Sequence, residues 1–291
     1  NPDCYATNSF VITIVAPPTA NNPAPIVLCD EHPNDGFAEF TLTDRDDEIT
    51  GANPDYIVLY FQTLALAEVG DPADQLISPY TNVVPGTQIV FARVEDIISG
   101  CYEIVELTLQ VNPSPEIADP ITEFLVCDDD QDGFELFDLT SKNTEILNGM
   151  LNMSIDYYNT FDDADQDTNP IGDPVNYNSG GGETIFVRVE GLISGCYSVG
   201  EFVLNFHPVP TYTAPTPFIQ ISGNNEFDLT LKIPEISGGN PNVSISFHID
   251  EPDAWAGVNP LPLLYTSVTN PQIIWVRVRD INTGCVAVTT L

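Results

Sequence analysis

The side chains best suited to chemistry in this chain are the carboxylates of CDDDQDGFELFDLT, a segment that begins at Cys127. Asp128, Asp130 and Asp132 stand at positions 1, 3 and 5, and Gly133 follows where a sharp turn is needed. That is the first half of a calcium loop, in which alternate carboxylates converge on a hard cation. The segment departs from an EF-hand at position 12, which is Leu139, so further ligands must come from Glu135, from backbone carbonyls or from elsewhere in the fold. A related segment, CDEHPNDG from Cys29, is one residue longer and offers Asp30, Glu31, Asn34 and Asp35. A third, ISGNNE from Ile221, has lost the cysteine and the acidic cluster together. The expected cofactor is calcium, held by Asp128, Asp130 and Asp132 and, in the earlier segment, by Asp30, Asn34 and Asp35. The competing reading is that Asp, Asn and Gly are simply the commonest turn residues.

The six cysteines are the other reactive set. Each complete copy has one near its start, Cys29 or Cys127, and one in a late SGC turn, Cys101 or Cys196. This pattern predicts one disulfide per copy, Cys29–Cys101 and Cys127–Cys196, formed in an oxidising compartment. It leaves Cys285 without a partner, because Ile221 stands where a third starting cysteine would be. A rival pairing, Cys4–Cys29 and Cys101–Cys127, would bridge neighbouring copies. Zinc is disfavoured, since no C-x-x-C spacing occurs.

Little supports catalysis. His32, His207 and His248 fall at unrelated places in the repeat, so no nucleophile–histidine set recurs, and the expectation is that this chain is not an enzyme. Exposed aromatics are better binding candidates. Trp255, in EPDAWAGVNP, which reads as an insertion, and Trp275, beside a repeated arginine, could stack on a glycan; an aromatic–arginine stack within the sheet is the competing reading.

These residues are positioned by an internal repeat. FARVEDIISGCYEI from Phe91 returns as FVRVEGLISGCYSV from Phe186 and WVRVRDINTGCVAV from Trp275, and DCYATNSF near the start matches the end of the same phrase. Cys101, Cys196 and Cys285 lie 95 and 89 residues apart, a period that suits one independently folding domain better than a solenoid unit. The expected divisions are 1–20, the tail of a preceding repeat with its linker; 21–113 and 114–209, two full repeats; and 210–291, a divergent third repeat truncated at its end. Within each copy, Ile185, Val187 and Val189 alternate with Phe186, Arg188 and Glu190, the period-2 pattern of a half-buried strand. Many short strands with turn signals between them predict an all-β fold of tandem antiparallel immunoglobulin-like sandwiches with a short helical insertion. Proline-rich joints such as APPTANNPAP and VNPSPEIADP favour extended, stiff connections, so the domains are expected to line up as a rod.

Charge narrows the partners. With 43 Asp and Glu against 7 Lys and Arg, the formal net charge is −36. Such a field repels nucleic acid and anionic lipid. No apolar run reaches the 18 residues that a membrane span needs, so no membrane insertion is expected in this segment. The basic residues hold two registers: Arg93, Arg188 and Arg277 in the aromatic-x-Arg-Val phrase, and Arg45, Lys142 and Lys232 in LTDR, LTSK and LTLK. Both registers are expected to form structural ion pairs with carboxylates.

The string C-D-D-x-x-D-G-F-x-x-F-D-L-T, followed by Tyr157, Tyr158 and Thr160, a T-I-F-V-R-V-E strand, an S-G-C-Y turn and an N-P-x-P exit, resembles the tandem repeats of very large surface proteins of gliding and marine Bacteroidetes. These are similar to gliding-motility adhesins exported by the type IX secretion system and displayed as long filaments. The resemblance implies an extracellular, cell-attached adhesin stalk whose partners are its own neighbouring repeats and a surface or glycan target. The alternative is a carbohydrate-binding or accessory module of a secreted polysaccharide-degrading enzyme.

Overall fold

The alternation in the repeated phrase is reproduced as burial: Ile185, Val187 and Val189 are completely buried, as are Val90, Ala92 and Val94 one copy earlier. The computed structural model describes residues 8–12, 14–31, 33–220 and 225–291. Cys4, His32, Ile221 and most of the matching phrase near the start lie outside them. The first repeat contains β1 (Ile26–Cys29), β2 (Glu39–Phe40), α1 (Asp46–Thr50), β3 (Tyr56–Phe61), α2 (Leu64–Val69), β4 (Tyr80–Thr81), β5 (Thr87–Asp96) and β6 (Tyr102–Asn112). The second repeats this order as β7 (Phe124–Asp128), β8 (Glu135–Phe137), α3 (Asn143–Leu147), β9 (Met153–Tyr158), α4 (Phe161–Gln166), β10 (Tyr177–Ser179), β11 (Thr184–Gly191) and β12 (Tyr197–Pro208). The third has β13 (Glu226–Asp228), α5 (Ile233–Ser237), β14 (Val243–His248), α6 (Glu251–Ala256), β15 (Leu264–Thr266), β16 (Trp275–Asp280) and β17 (Val286–Thr290).

Each repeat is an Ig-like sandwich. In the first, a sheet ordered β1-β6-β5-β3 and a ribbon β2-β4 enclose Phe40, Leu42, Ile49, Tyr60, Leu107 and Leu109. The second forms β7-β12-β11-β9 with β10-β8, and the third β14-β16-β17 with β13-β15. The long strands pair antiparallel, but β1 runs parallel to β6 and β7 parallel to β12, a departure from the purely antiparallel expectation. The motifs FAEFTLT and FELFDLT are strand only at their first half. Leu42 and Leu139 are fully buried and open a 3-10 turn that runs straight into α1 or α3.

A second short helix follows β3, β9 and β14 in the three repeats. It begins at a polar cap, Thr63, Thr160 or Asp250, whose side chain accepts a backbone N–H of the first turn. It ends at a left-handed residue, Gly70, Asp167 or Gly257. Trp255 therefore sits in α6, the counterpart of α2 and α4, and EPDAWAGVNP is not an insertion.

The chain divides into two compact units, Asn1–Glu116 with Asn152–Ser154 and Val189–Ser198, and the remainder to Leu291. These units cut across the sequence repeats, because the tip of the β11–β12 hairpin belongs with the first repeat. Among the described residues no helix is long and apolar enough to cross a membrane.

Candidate functional site

The cystines join consecutive repeats. Cys29 is bonded to Cys196, with Cα atoms 5.5 Å apart, and Cys127 to Cys285, with Cα atoms 5.6 Å apart. Both expected pairings are corrected by strand register. Cys29 lies opposite Asn112 at the far end of β6, whereas Cys101 immediately precedes that strand. Eleven strand residues separate the two levels, about 35 Å at the usual rise per residue, far beyond disulfide reach. Cys127 lies opposite His207 and is separated from Cys196 in the same way, so Cys127–Cys196 is also excluded. The rival Cys101–Cys127 fails because Cys127 is bonded to Cys285 and Cys101 is a free thiol, and Cys4–Cys29 lies outside the described residues. The starting cysteine of one copy meets the late S-G-C or T-G-C turn of the next. Cys285 is thus not an orphan, and Cys101 is the free thiol among the described residues.

Each turn is held in place by more than sulfur. Cys196 is fully buried, its Sγ lies 3.8 Å from the Asn112 carbonyl, and the Ser198 hydroxyl donates to the Pro115 carbonyl at 2.7 Å. Cys285 Sγ lies 3.9 Å from the His207 carbonyl.

The two acidic loops differ. In the first, Asp30 is buried and its Oδ2 accepts the Gly36 N–H at 2.6 Å. Asn34 exchanges two hydrogen bonds of 2.9 Å with the Ser114 backbone, and Asp35 accepts the Phe37 N–H at 3.0 Å. Asp30, Asn34 and Asp35 are thus engaged in closing the loop and tying it to the strand exit. In the second loop Asp128 and Asp130 come together with Glu135, all three offering oxygens within 4.8 Å of one another. Asp132 is not in that group; its carboxylate accepts the Phe134 N–H at 2.8 Å. Burial pushes the Glu135 carboxyl above its ordinary range, and the charges of Asp129, Asp128 and Asp130 add to the rise, against a lowering hydrogen bond from the Asp129 N–H.

The arginine register, expected to pair with carboxylates, is bonded in all three copies to backbone carbonyls. Arg93 donates to the Ala67 and Glu68 carbonyls at 2.7 and 3.0 Å, Arg188 to Ala164 and Asp165 at 3.1 and 3.0 Å, and Arg277 to Ala254 and Trp255 at 3.1 and 2.8 Å. Each arginine therefore caps the last carbonyls of the short helix that crosses its strand, satisfying groups the helix leaves unpaired. Arg93 also pairs with Glu95 and stacks on Tyr102, 3.4 Å from the ring centroid. A Cβ at Gly70 would come within 2.8 Å of the Arg93 guanidinium, so glycine there serves both the left-handed cap and the arginine's passage.

Arg45, Lys142 and Lys232 form a clamp with a glutamate three residues on. Lys142 Nζ reaches Glu145 at 3.0 Å and the Thr122 carbonyl and hydroxyl at 2.8 Å each. Lys232 reaches Glu235 at 2.8 Å and the Thr216 carbonyl and hydroxyl at 2.6 and 2.8 Å. Arg45 bonds the Ala24 and Pro25 carbonyls at 3.1 and 3.0 Å, with Glu48 3.7 Å away. Each glutamate accepts an N–H of the same leading segment, from Ala24, Thr122 or Thr216. Lys232 and the Thr216 donors hold the Glu235 carboxyl down at about 2. Sequence reasoning missed these glutamates, although the i, i+3 spacing to the basic residue recurs in all three copies.

The aromatic face is partly covered. Phe186 packs edge-on against Phe161 of α4, with centroids 6.2 Å apart. Trp255 is 41% exposed, with its indole N–H 3.4 Å from Glu251, while Trp275 is half-buried between its neighbours on β14 and β17.

Among solved structures, an E-to-A variant of three titin Ig domains is 10% identical, covering 95% of this chain and 98% of that one, with a TM-score of 0.33. Extracellular domains 3–5 of Drosophila OTK are 8% identical, covering 94% and 98%, with a TM-score of 0.26. A SusE-like surface-located polysaccharide-binding protein from the heparin utilisation locus of Bacteroides thetaiotaomicron is 10% identical, covering 78% of this chain and 42% of that one, with a TM-score of 0.25. No curated protein matches the chain. One family profile matches residues 25–115, 123–210 and 219–291, once per repeat and over most of the sequence. With its two cystines running from copy to copy, the chain belongs to the Flavobacterium inter-domain disulphide bond domain family.

Proposed function

We propose that this extracellular repeat module is a segment of a surface adhesin's stalk, which projects from the cell and supports attachment and gliding. The observation that carries the reading is the offset pairing of Cys29 with Cys196 and of Cys127 with Cys285. A staple that spends both cysteines between copies, and none within one, is useful where the chain transmits tension from copy to copy. An independently acting binding domain has no need of it. The Lys–Glu and Arg–Glu clamps serve the same end, since each fastens the segment leading into a repeat onto that repeat's body. Cystines also require an oxidising compartment. The resemblance to gliding adhesins supports export by the type IX pathway and anchorage at the cell surface.

The test is antibody labelling of intact cells that make the protein, coupled to attachment under flow. Surface labelling, with loss of retention on glass when Fab fragments are added, is expected. Labelling only after permeabilisation would refute the surface assignment. Retention of a polysaccharide by the purified chain, lost in Trp255→Ala, would favour the carbohydrate-binding alternative.

A further inference from the structure

We propose that the second repeat binds one divalent cation of the calcium type through Asp128, Asp130 and Glu135, next to the Cys127–Cys285 cystine. The three carboxylates offer oxygens within 4.8 Å of one another. Oxygens that share an ion at 2.3–2.6 Å lie at most about 5 Å apart, so the cluster has the right size for one calcium.

Asp128 gives independent support. It is only 6% exposed, and its Oδ1 is buried without a hydrogen-bond partner among the described residues. A buried carboxylate oxygen without a donor is costly and calls for a counter-charge. The chain has little to supply. Of its 7 basic residues, Arg93, Arg188 and Arg277 cap helices, Arg45, Lys142 and Lys232 hold clamps, and Arg279 lies on β16 opposite Ser244 and Val286 in the third repeat's sheet. A cation from solution would supply the missing charge.

The first repeat shows the same register solved differently. Asp30, the counterpart of Asp128, has its Oδ2 occupied by the Gly36 N–H at 2.6 Å, and the counterpart of Glu135 is Ala38. That loop is closed by the chain itself, with one ligand missing. The second loop is a residue shorter and has gained the third carboxylate. The site also bears on the junction. Asp128 ends β7 opposite Pro208, Cys127 lies opposite His207, and the His207 carbonyl approaches Cys285 Sγ. An ion at Asp128 would fix the strand end from which the staple leaves.

The experiment is calorimetric titration of the intact, oxidised chain with calcium chloride. One site per chain is expected, with a dissociation constant on the order of 10⁻⁴–10⁻³ M, typical of extracellular modules. Asp130→Ala and Glu135→Gln, at exposed and half-buried positions, should each weaken it at least about 10-fold while Asp35→Asn leaves it unchanged. No saturable heat up to about 10 mM calcium, or a site indifferent to both variants, would overturn the proposal. Asp128→Asn supplies a second readout: in chelator its urea midpoint should match or exceed the parent's, and its response to calcium should vanish. A lower midpoint in chelator would mean that the protein already satisfies the carboxylate, and would overturn the proposal as well.

Discussion

Removing the second staple should destabilise the third repeat by an amount that the structure sets. With the second repeat folded, β12 is held beside β7 as far as Pro208, opposite Asp128. If only the third repeat unfolds, the Cys127–Cys285 bond therefore closes a loop from Pro208 to Cys285, 77 residues long. The chain-entropy relation gives about 4.5 kcal/mol for a loop of that length. At a urea m-value of about 2 kcal/mol/M, this is a fall in midpoint of about 2 M. The protein provides its own probe, since both tryptophans, Trp255 and Trp275, lie in the third repeat. The assay is urea unfolding of the Cys127→Ser/Cys285→Ser variant followed by tryptophan fluorescence. Cys29→Ser/Cys196→Ser is the control, because that loop closes within the first two copies and should leave the tryptophan transition in place. A midpoint shift below about 0.3 M in the first variant would refute the reasoning, since the bond would then impose no closure on the unfolded repeat.

Three further outcomes are expected. Alkylation of the unreduced, denatured chain followed by peptide mapping should label Cys101 and recover Cys29–Cys196 and Cys127–Cys285 as linked peptides; alkylated Cys285 would contradict the pairing. Lys232→Met keeps the aliphatic stem but loses the bonds to Thr216 and Glu235. It should lower the stability of the third repeat by about 2–3 kcal/mol in the same fluorescence assay. The Glu235 carboxyl is held at about 2, below its ordinary 4.5, so its contribution is complete above pH 4.5 and is lost as the pH falls towards 2. Stability measured across that interval should decline less steeply in Glu235→Gln than in the parent.

The repeat, the strand phrases and the buried alternation of Ile185, Val187 and Val189 were legible because a sheet with one buried face writes its period into the sequence. The cystine pairing was not, since the evidence lies in which end of β6 or β12 each cysteine reaches. That follows only from the parallel register of Cys29 with Asn112 and of Cys127 with His207. The roles of Arg93, Arg188 and Arg277 were half visible: their fixed register signalled structure, but their main partners are backbone carbonyls of α2, α4 and α6, which carry no side-chain signature. Glu135 stood in view as a spare carboxylate beside the D-x-D-x-D spacing. In the fold Glu135 comes together with Asp128 and Asp130, whereas the Asp132 carboxylate accepts the Phe134 N–H.

The two cystines overlap in sequence, and this changes what a cut in the backbone can do. Three lengths of chain connect them side by side: 98 residues from Cys29 to Cys127, 69 from Cys127 to Cys196 and 89 from Cys196 to Cys285. A protease that severs any one peptide bond between Cys29 and Cys285 leaves the other two lengths intact, and the fragments remain a single covalent molecule. Even with every repeat unravelled, the shortest length limits the separation of the two cystines to about 240 Å. An extracellular chain built this way tolerates a first nick at any point of this span.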